Sequence, residues 1–208
     1  MFTGIITHSG VFKAYRRGKK EMAVEAPGLA ERLAVGDSIA VNGVCLSIIR
    51  KENSLLFFNL SQETLGLTNL GSLKPGVKLN LELPLTLSSP LSGHLVTGHV
   101  DFKARLRRAA PRKPGKRLVF PLPREFAPYV TPKGSIAVNG VSLTVAALGK
   151  AFFEVELIPL TLEKSNLGDL RPGEEANFEC DMIGKYVYNW LTHGNLKKSR
   201  TIRNDDIS

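Results

Sequence analysis

The seven residues SIAVNGV stand at positions 38–44 and again at 135–141 of a 208-residue chain. A heptapeptide does not recur by accident at this length, so the repeat points to internal duplication. Ser135 follows Ser38 by 97 residues, and the same spacing carries Thr64-Leu65 onto Thr161-Leu162 and Asn69-Leu70-Gly71 onto Asn166-Leu167-Gly168. It also carries Pro75-Gly76 onto Pro172-Gly173, Asn80 onto Asn177 and Glu82 onto Glu179; between Leu60 and Glu82, 11 of 23 positions match without a gap. Upstream, Thr3-Gly4 matches Thr97-Gly98 at a spacing of 94, so a small insertion lies between. The chain therefore reads as two tandem units, each large enough for its own core. Two long copies do not make a solenoid. The expected organisation is a barrel over residues 1–94, a second over 95–182, a helix over 183–192 and a polar, disordered tail over 193–208.

Each heptad is an apolar run cut by Asn-Gly and resumed by a second run. This is a strong hairpin signal, because Asn-Gly accepts the positive φ angles of a type I′ turn. Further strands are expected at 21–25, 54–60 and 77–83, with partners at 117–120, 151–158 and 174–181. Pro-Gly at 75–76 and 172–173 turns the chain into the last strand of each unit. Short helical turns fit 28–33 and 63–69. Many short strands separated by turns, with no alternating long helices, indicate an all-β fold of small antiparallel barrels or sandwiches. Only 183–192 reads as a longer helix, with Ile183, Tyr186, Val187 and Trp190 on one stripe. That stripe needs a covering surface, and association with other subunits is one solution.

Apolar residues make up 43% of the chain and charged residues 23%, values usual for a globular domain. No apolar run reaches the length of a membrane span, and the start MFTGII lacks the parts of a signal peptide. Cys45 and Cys180 fall at non-equivalent positions of the repeats, so no disulfide framework is indicated and a cytoplasmic location fits. The net charge of +9 raises the possibility of nucleic-acid binding. Much of the excess sits in residues 103–117, with eight Lys or Arg and no acid, and in 197–203, with four more. The first run has no aromatic to stack bases on and reads as a solvated loop. Nucleotide-binding loops, zincin helices and serine-hydrolase elbows are absent. His8, His94, His99 and His193 show no metal-ligand spacing, so metal clustering has no support.

After each Asn-Gly turn the residues alternate between two faces. Cys45 and Ser47 share one face in the first copy, Ser142 and Thr144 the matching face in the second, with Val44, Leu46, Val141 and Leu143 opposite. Small hydrogen-bonding side chains two apart could line a polar pocket. Serine and threonine are also common on solvated strand faces, and spacing alone leaves both readings.

The segments MFTGII, NGVCLS, ETLxxTNLG, SGHLVTGHVD and NGVSLTV, in this order and spacing, resemble riboflavin synthase of the two-barrel alpha-chain type, from Met1 to about Trp190. The resemblance implies two six-stranded Greek-key barrels and a C-terminal helix that holds a homotrimer. It implies that two molecules of 6,7-dimethyl-8-ribityllumazine exchange a four-carbon unit, giving riboflavin and 5-amino-6-ribitylaminouracil with no cofactor or metal. Each barrel would bind one lumazine, and a site would form where the first barrel of one subunit faces the second barrel of a neighbour. Association with lumazine synthase, the upstream enzyme, is left open, and neither nucleic acid nor membrane is a partner. The C7 methyl of the lumazine is acidic because its carbanion delocalises into the ring, so a weak base with positioned donors suffices. The second lumazine must be made electrophilic, for instance by addition of a nucleophile at C7. Orientation of two like heterocycles supplies much of the rest.

By this resemblance the first pocket comprises Phe2, Thr3, Gly4, Ile5, Ile6, Ser38, Cys45, Leu46, Ser47, the segment Asn59, Leu60, Ser61, Gln62, Glu63 and Thr64, and Gly98, His99 and Val100. The second comprises Lys133, Ser142, Leu143, Thr144 and the segment Ile158, Pro159, Leu160, Thr161, Leu162 and Glu163, with Asp181 nearby. The catalytic set would be His99 for proton transfer, with Ser38, Cys45, Thr3, Phe2 and Asp181. His99 could instead be a solvated histidine, Cys45 a small buried hydrophobe and Asp181 a strand-end carboxylate. Three positions depart from the family pattern. Asn139 stands where Asp is common, Leu160 replaces a Glu near the second pocket, and Ser47 replaces Thr while keeping the hydroxyl. A non-catalytic lumazine or flavin carrier of the same fold is the alternative reading.

Overall fold

The computed structural model describes residues 1–193; apart from His193, the tail expected to be disordered lies outside the described residues. The first repeat folds as β1 (His8–Arg16), β2 (Glu21–Glu25), β3 (Ser38–Val41), β4 (Val44–Glu52), β5 (Leu55–Asn59), a helix α1 (Gln62–Leu67) and β6 (Lys78–Glu82). These six strands close into an antiparallel barrel in the order β1-β2-β5-β4-β3-β6. The heptad is the β3–β4 hairpin, with Asn42 and Gly43 at φ 46° and 76°, the positive pair that a type I′ turn demands. Ser61 caps α1, its hydroxyl accepting the Thr64 N–H at 3.0 Å.

The second repeat carries β7 (Phe102–Arg105), β8 (Arg108–Arg112), β9 (Gly115–Pro121), β10 (Ser135–Val138), β11 (Val141–Leu148), β12 (Phe152–Leu157), a helix α2 (Pro159–Lys164) and β13 (Glu175–Cys180). Its sheet has seven strands in the order β7-β13-β10-β11-β12-β9-β8. The extra strand is the counterpart of β1 broken in two: β7 pairs with β13 as β1 pairs with β6, and β8 pairs with β9 as β1 pairs with β2. Where β1 has only a bulge between Phe12 and Ala14, the second copy breaks at Leu106-Arg107. The Leu106 N–H still reaches the Glu174 carbonyl and the Arg107 N–H the Val119 carbonyl, both at 2.9 Å, so the two ends of the sheet are joined.

The basic run is not the solvated loop expected of it, because it forms β7, β8 and the start of β9. Arg105 meets Glu175 and Arg112 meets Glu156 at 3.0 Å, and Arg117 meets Glu154 at 2.8 Å. The Lys116 ammonium donates to the Gly168 and Leu170 carbonyls. Solvent screens such pairs, so each adds little stability, but they commit much of the run's charge to its own barrel.

The strand faces follow the alternation. Val44, Leu46 and Ile48 enter the first core, and Val141, Leu143 and Val145 the second. The second core is built on rings: Phe178 lies 4.9 Å from both Phe102 and Phe120, stacked on one and edge-on to the other. The last helix, α3 (Met182–His193), docks by its first turns only. Lys185 pairs with Asp101 at 2.7 Å and Tyr188 packs edge-on to Tyr129. Ile183, Tyr186, Val187 and Trp190 stay exposed, Trp190 at 71%.

Six asparagines fasten the barrels to each other. The Asn80 amide donates to the Asn139 carbonyl, and the equivalent Asn177 amide donates to the Asn42 carbonyl, both at 2.9 Å. The Asn177 side chain accepts the Asn69 N–H at 2.6 Å, and the Asn80 side chain accepts the Asn166 N–H at 2.7 Å. Within each barrel Asn42 accepts the Asn80 N–H and Asn139 the Asn177 N–H, again both at 2.9 Å. Every bond has its mate 97 residues away, so the barrels are related by a pseudo-twofold axis. At the axis the hairpin tips touch: a Cβ on Gly43 would lie 2.6 Å from the Gly140 nitrogen.

Asn139→Ala leaves buried N–H groups without acceptors and puts alanine at φ 45°. The expected loss is about 2–4 kcal/mol, measured as a lower urea midpoint, whereas Asn139→Asp, which keeps the acceptor oxygen, is expected to lose less.

Candidate functional site

The start of each repeat crosses to the other barrel. Phe2 and Val96 exchange backbone hydrogen bonds at 2.7 and 3.0 Å, an isolated bridge on the pseudo-twofold axis. Beyond it the Gly4 carbonyl accepts the Ser142 N–H at 2.8 Å in the second barrel, and the Gly98 carbonyl accepts the Cys45 N–H at 2.9 Å in the first. Both glycines are at positive φ, and a Cβ on Gly4 would lie 2.6 Å from Ser142 Cβ, one on Gly98 2.5 Å from Cys45 Cβ. Two buried carboxylates hold the crossings. Glu82 accepts the N–H and the hydroxyl of Thr3, each at 2.7 Å, and the Gly4 N–H at 3.1 Å. Glu179 accepts the same groups of Thr97 and the Gly98 N–H at 2.7–2.9 Å. Burial pushes the Glu82 carboxyl above its ordinary range, and the bonds from Thr3 oppose that push.

This crossing corrects one expectation. Gly4, Ile5 and Ile6, assigned above to the first pocket, lie at the second: Gly4 touches Ser142 and Ile6 packs on the second core. Gly98, His99 and Val100 lie at the first, where Val100 joins the core.

Cys45 and Ser47 stand on the outer face of the first barrel, Cys45 half-buried and Ser47 exposed. Ser38 pairs directly with Ser47, so all three share that face. Ile48 pairs with Phe58, so the chain leaves the sheet at Asn59 alongside Ser47, and the exposed Ser61, Gln62 and Glu63 with the half-buried Thr64 follow as the cap and first turn of α1. In the second barrel Ser142 and Thr144 take the same places and Ser135 pairs with Thr144. There Ile158 and Pro159 open α2, with Leu160 59% exposed and Thr161 and Leu162 half-buried. Glu163 is exposed. Leu46, Leu143 and Leu60 belong to the barrel cores, so they offer a ligand their backbone rather than their side chains. Lys133 holds φ 65° at the turn into β10, where the first copy has Gly36.

The two faces differ in their histidines. His99 follows Gly98 at the rim of the first, exposed, its backbone N–H on Glu179 at 3.1 Å. His94 lies behind the second, 8% exposed, with Nδ1 2.7 Å from Ser142 Oγ. Burial lowers its pKa, and the Asp181 charge acts in the opposite direction. Asp181 also accepts the Ile183 N–H at the start of α3.

Residues 3–84 and 97–181 each match the lumazine binding domain model. Riboflavin synthase of Mycobacterium tuberculosis (strain H37Rv) is 38% identical over 90% of this chain and 96% of its own. That of Bacillus subtilis (strain 168) is 34% identical over 96% and 94%, and that of Chlamydia pneumoniae 37% over 89% and 92%. The chain belongs to the riboflavin synthase family. Solved structures of LumP, one complexed with 6,7-dimethyl-8-(1'-D-ribityl) lumazine and one with riboflavin, share its fold. Their TM-scores are 0.77 and 0.80, at 22% identity over 86% of this chain and 98–99% of theirs.

Within this family fold two neighbours of the second face went unassigned in the sequence. Ser135 was available from the repeat, as Ser38 shifted by 97. His94 was visible in SGHLVTGHVD, but its contact with Ser142 depends on the crossing and has no local signal. The two histidines do not share a strand, because residues 94–99 are irregular apart from the Val96 bridge. A cleft of about 680 Å³ lies elsewhere, between the barrels, lined by pairs such as Asn42 with Asn139 and Lys74 with Arg171. None of Cys45, Ser47, Ser142 and Thr144 reaches it, and its charged rim suits a neutral ribityl heterocycle poorly. The described residues contain no cluster of His, Cys, Asp and Glu able to hold a metal, and no helix among them is long and apolar enough to cross a membrane.

A histidine whose folded pKa is lowered stabilises the fold fully above its unfolded pKa of 6.5, and that stability is lost as the pH falls through 6.5 toward the folded value. The histidines should therefore lower the urea midpoint as the pH falls from neutrality, against the opposite trend from the raised Glu82 carboxyl, and His94→Asn should remove part of that lowering. His8, also lowered by burial and by Arg32, accounts for a share that this variant leaves in place.

Proposed function

We propose that the chain brings two molecules of 6,7-dimethyl-8-ribityllumazine together in opposite orientations and catalyses their dismutation to riboflavin and 5-amino-6-ribitylaminouracil. One observation carries this reading: the chain presents the same outer-face site twice, Cys45 with Ser47 and Ser142 with Thr144, each roofed by the other repeat. Two like sites suit a reaction whose reactants are one compound in two roles. The family supplies the compound. Hydroxyls, a thiol and backbone groups match its neutral ring and ribityl chain, and no step calls for a cofactor or a metal.

His99, at the rim of the first site, takes the proton from the C7 methyl of one lumazine, and the carbanion is stabilised by delocalisation into its own ring. Ser38, Ser47 and Cys45 hold that molecule, and Ser142, Thr144 and Lys133 hold the other. Both faces are open in a single chain, so the first barrel of one copy meets the second barrel of a neighbour to enclose the pair and exclude water. The exposed stripe Ile183, Tyr186, Val187 and Trp190 supports a homotrimer packed through α3. Residues 1–94 and 95–182 act as the two binding units, and the two unpaired cysteines agree with a cytoplasmic location.

The deciding test follows riboflavin by absorbance after mixing protein and lumazine with a chelator present. One uracil product per riboflavin is expected; tight binding without turnover would instead mark a chromophore carrier. His99→Ala should lower kcat by about 10²-fold or more while lumazine affinity is largely kept. Trp190→Asp combined with Val187→Asp should shift the sedimentation coefficient to that of a monomer and reduce activity with it.

A further inference from the structure

We propose that His94 is a positioning residue that accepts the Ser142 proton and thereby makes the second site the one that holds the electrophilic lumazine. This rests on the dismutation read above and divides its two roles between the two sites. The motif places His94 and His99 five residues apart, yet the fold sends them to different barrels. His99 stands in the open beside the first site, whereas His94 is enclosed behind the second.

Every contact of His94 fixes its ring on one atom. Its N–H donates to the Thr3 carbonyl at 3.1 Å, and Thr3 is itself tied down by Glu82. Gly93, the preceding residue, has no room for a side chain: a Cβ there would lie 2.1 Å from the Thr3 oxygen and 2.9 Å from Ser142 Cβ. The ring is thereby pressed against Ser142, with Nδ1 2.7 Å from Oγ, while Nε2 is buried with no hydrogen-bond partner among the described residues. An unpartnered buried ring nitrogen is costly, and such costs persist where a site needs the group. Burial disfavours the charged ring, and the Asp181 charge acts in the opposite direction, favouring the imidazolium once a proton arrives. At the equivalent place in the first barrel stands Cys45, and no histidine among the described residues hydrogen-bonds it.

The chemistry follows from the tautomer. With the proton on Nε2, Nδ1 accepts the Ser142 hydroxyl proton and an oxygen lone pair is free to face the ligand. Addition of Oγ to C7 forms one O–C bond, the displaced electron pair spreads into the pyrimidinedione ring, and the hydroxyl proton passes to Nδ1. Departure of Oγ after carbon–carbon bond formation reverses each of these transfers, so nothing is consumed. The first site, with a thiol but no base behind it and with His99 at its rim, is left to the carbanion.

The test is a double-mutant cycle on the full-length chain. Asparagine places an amide where Nδ1 stood, so His94→Asn keeps a hydrogen bond to Ser142 without a base. It should lower kcat by about 10²-fold with lumazine affinity near wild type, and H94N/S142A should be no slower than S142A, as expected of residues acting as a unit. Addition at C7 interrupts the ring conjugation, so wild-type protein mixed with lumazine should show transient loss of its long-wavelength absorption, which both H94N and S142A abolish. Losses that multiply in the double variant, or equal loss of binding and turnover in H94N, would overturn the proposal. So would a transient that Cys45→Ala removes and Ser142→Ala does not. A wild-type protein that binds lumazine without making riboflavin would end the dismutation reading alone. The absorption change and its dependence on His94 would still be measurable, and its absence would end this proposal as well.

Discussion

The contact on which the molecule depends is the meeting of two Asn-Gly turns. Asn42 and Asn139 sit at φ near +45°, which ordinary side chains avoid and asparagine tolerates. Each uses its side-chain oxygen to bind the last strand of its own barrel and its backbone carbonyl to bind an asparagine of the other. Gly43 and Gly140 let the turns approach until only hydrogen atoms fit between them. A buried amide network is stabilising only when each member is satisfied, since a half-made network is worse than an apolar seam. Here the two copies satisfy each other, which a single copy could not do. The turn that forms the hairpin and the contact that joins the barrels are therefore the same residues.

That contact sets the distance over which the chain ends can be exchanged. With the hairpin tips at the axis, the second residues of the strands that follow the turns, Cys45 and Ser142, lie within backbone hydrogen-bonding reach of the opposite repeat's leading segment. Glu82 and Glu179 then convert a loose crossing into a fixed one, each carboxylate collecting several donors at buried sites where losing one would be expensive. The price of the arrangement is interdependence, because neither pocket has its roof unless both barrels are folded. Phe102, Phe120, Phe153 and Phe178 in the second core, against Phe12 and Phe58 in a more aliphatic first core, show that interior packing has diverged while this shared seam has not.

Much of the fold was readable because its signals are local. Asn-Gly fixes a turn by φ alone, Pro-Gly does the same before β6 and β13, and the strand alternation around Cys45 and Ser142 sorts core from outer face without tertiary information. The helix at the C-terminus announced itself by period, and the structure places it at Met182–His193. The failures share a different cause. The break at Leu106-Arg107 has no Gly or Pro to mark it, and the basic side chains around it looked solvated because their partners, Glu154, Glu156 and Glu175, arrive from strands far along the sequence. The crossing of Gly4–Ile6 into the second barrel is likewise invisible locally. A resemblance transfers residues but not the barrel on which each residue will stand.

Duplication gives two identical sites, and a reaction between two identical molecules needs them to become different. The backbone cannot supply that difference while the seam requires both copies to keep the same hairpin, the same crossing glycine and the same buried glutamate. It has to come from side chains that the seam does not use. The outer-face positions and the segment leading into the second repeat meet that condition: cysteine against serine at 45 and 142, serine against threonine at 47 and 144, and isoleucine against histidine at 5 and 99. His94 lies in the same linking segment, where the packing of Gly93 against Thr3 turns its ring onto Ser142. The constraint that makes the two barrels alike thus also restricts where they can differ, and the differences gather at the two faces where the reactants would lie.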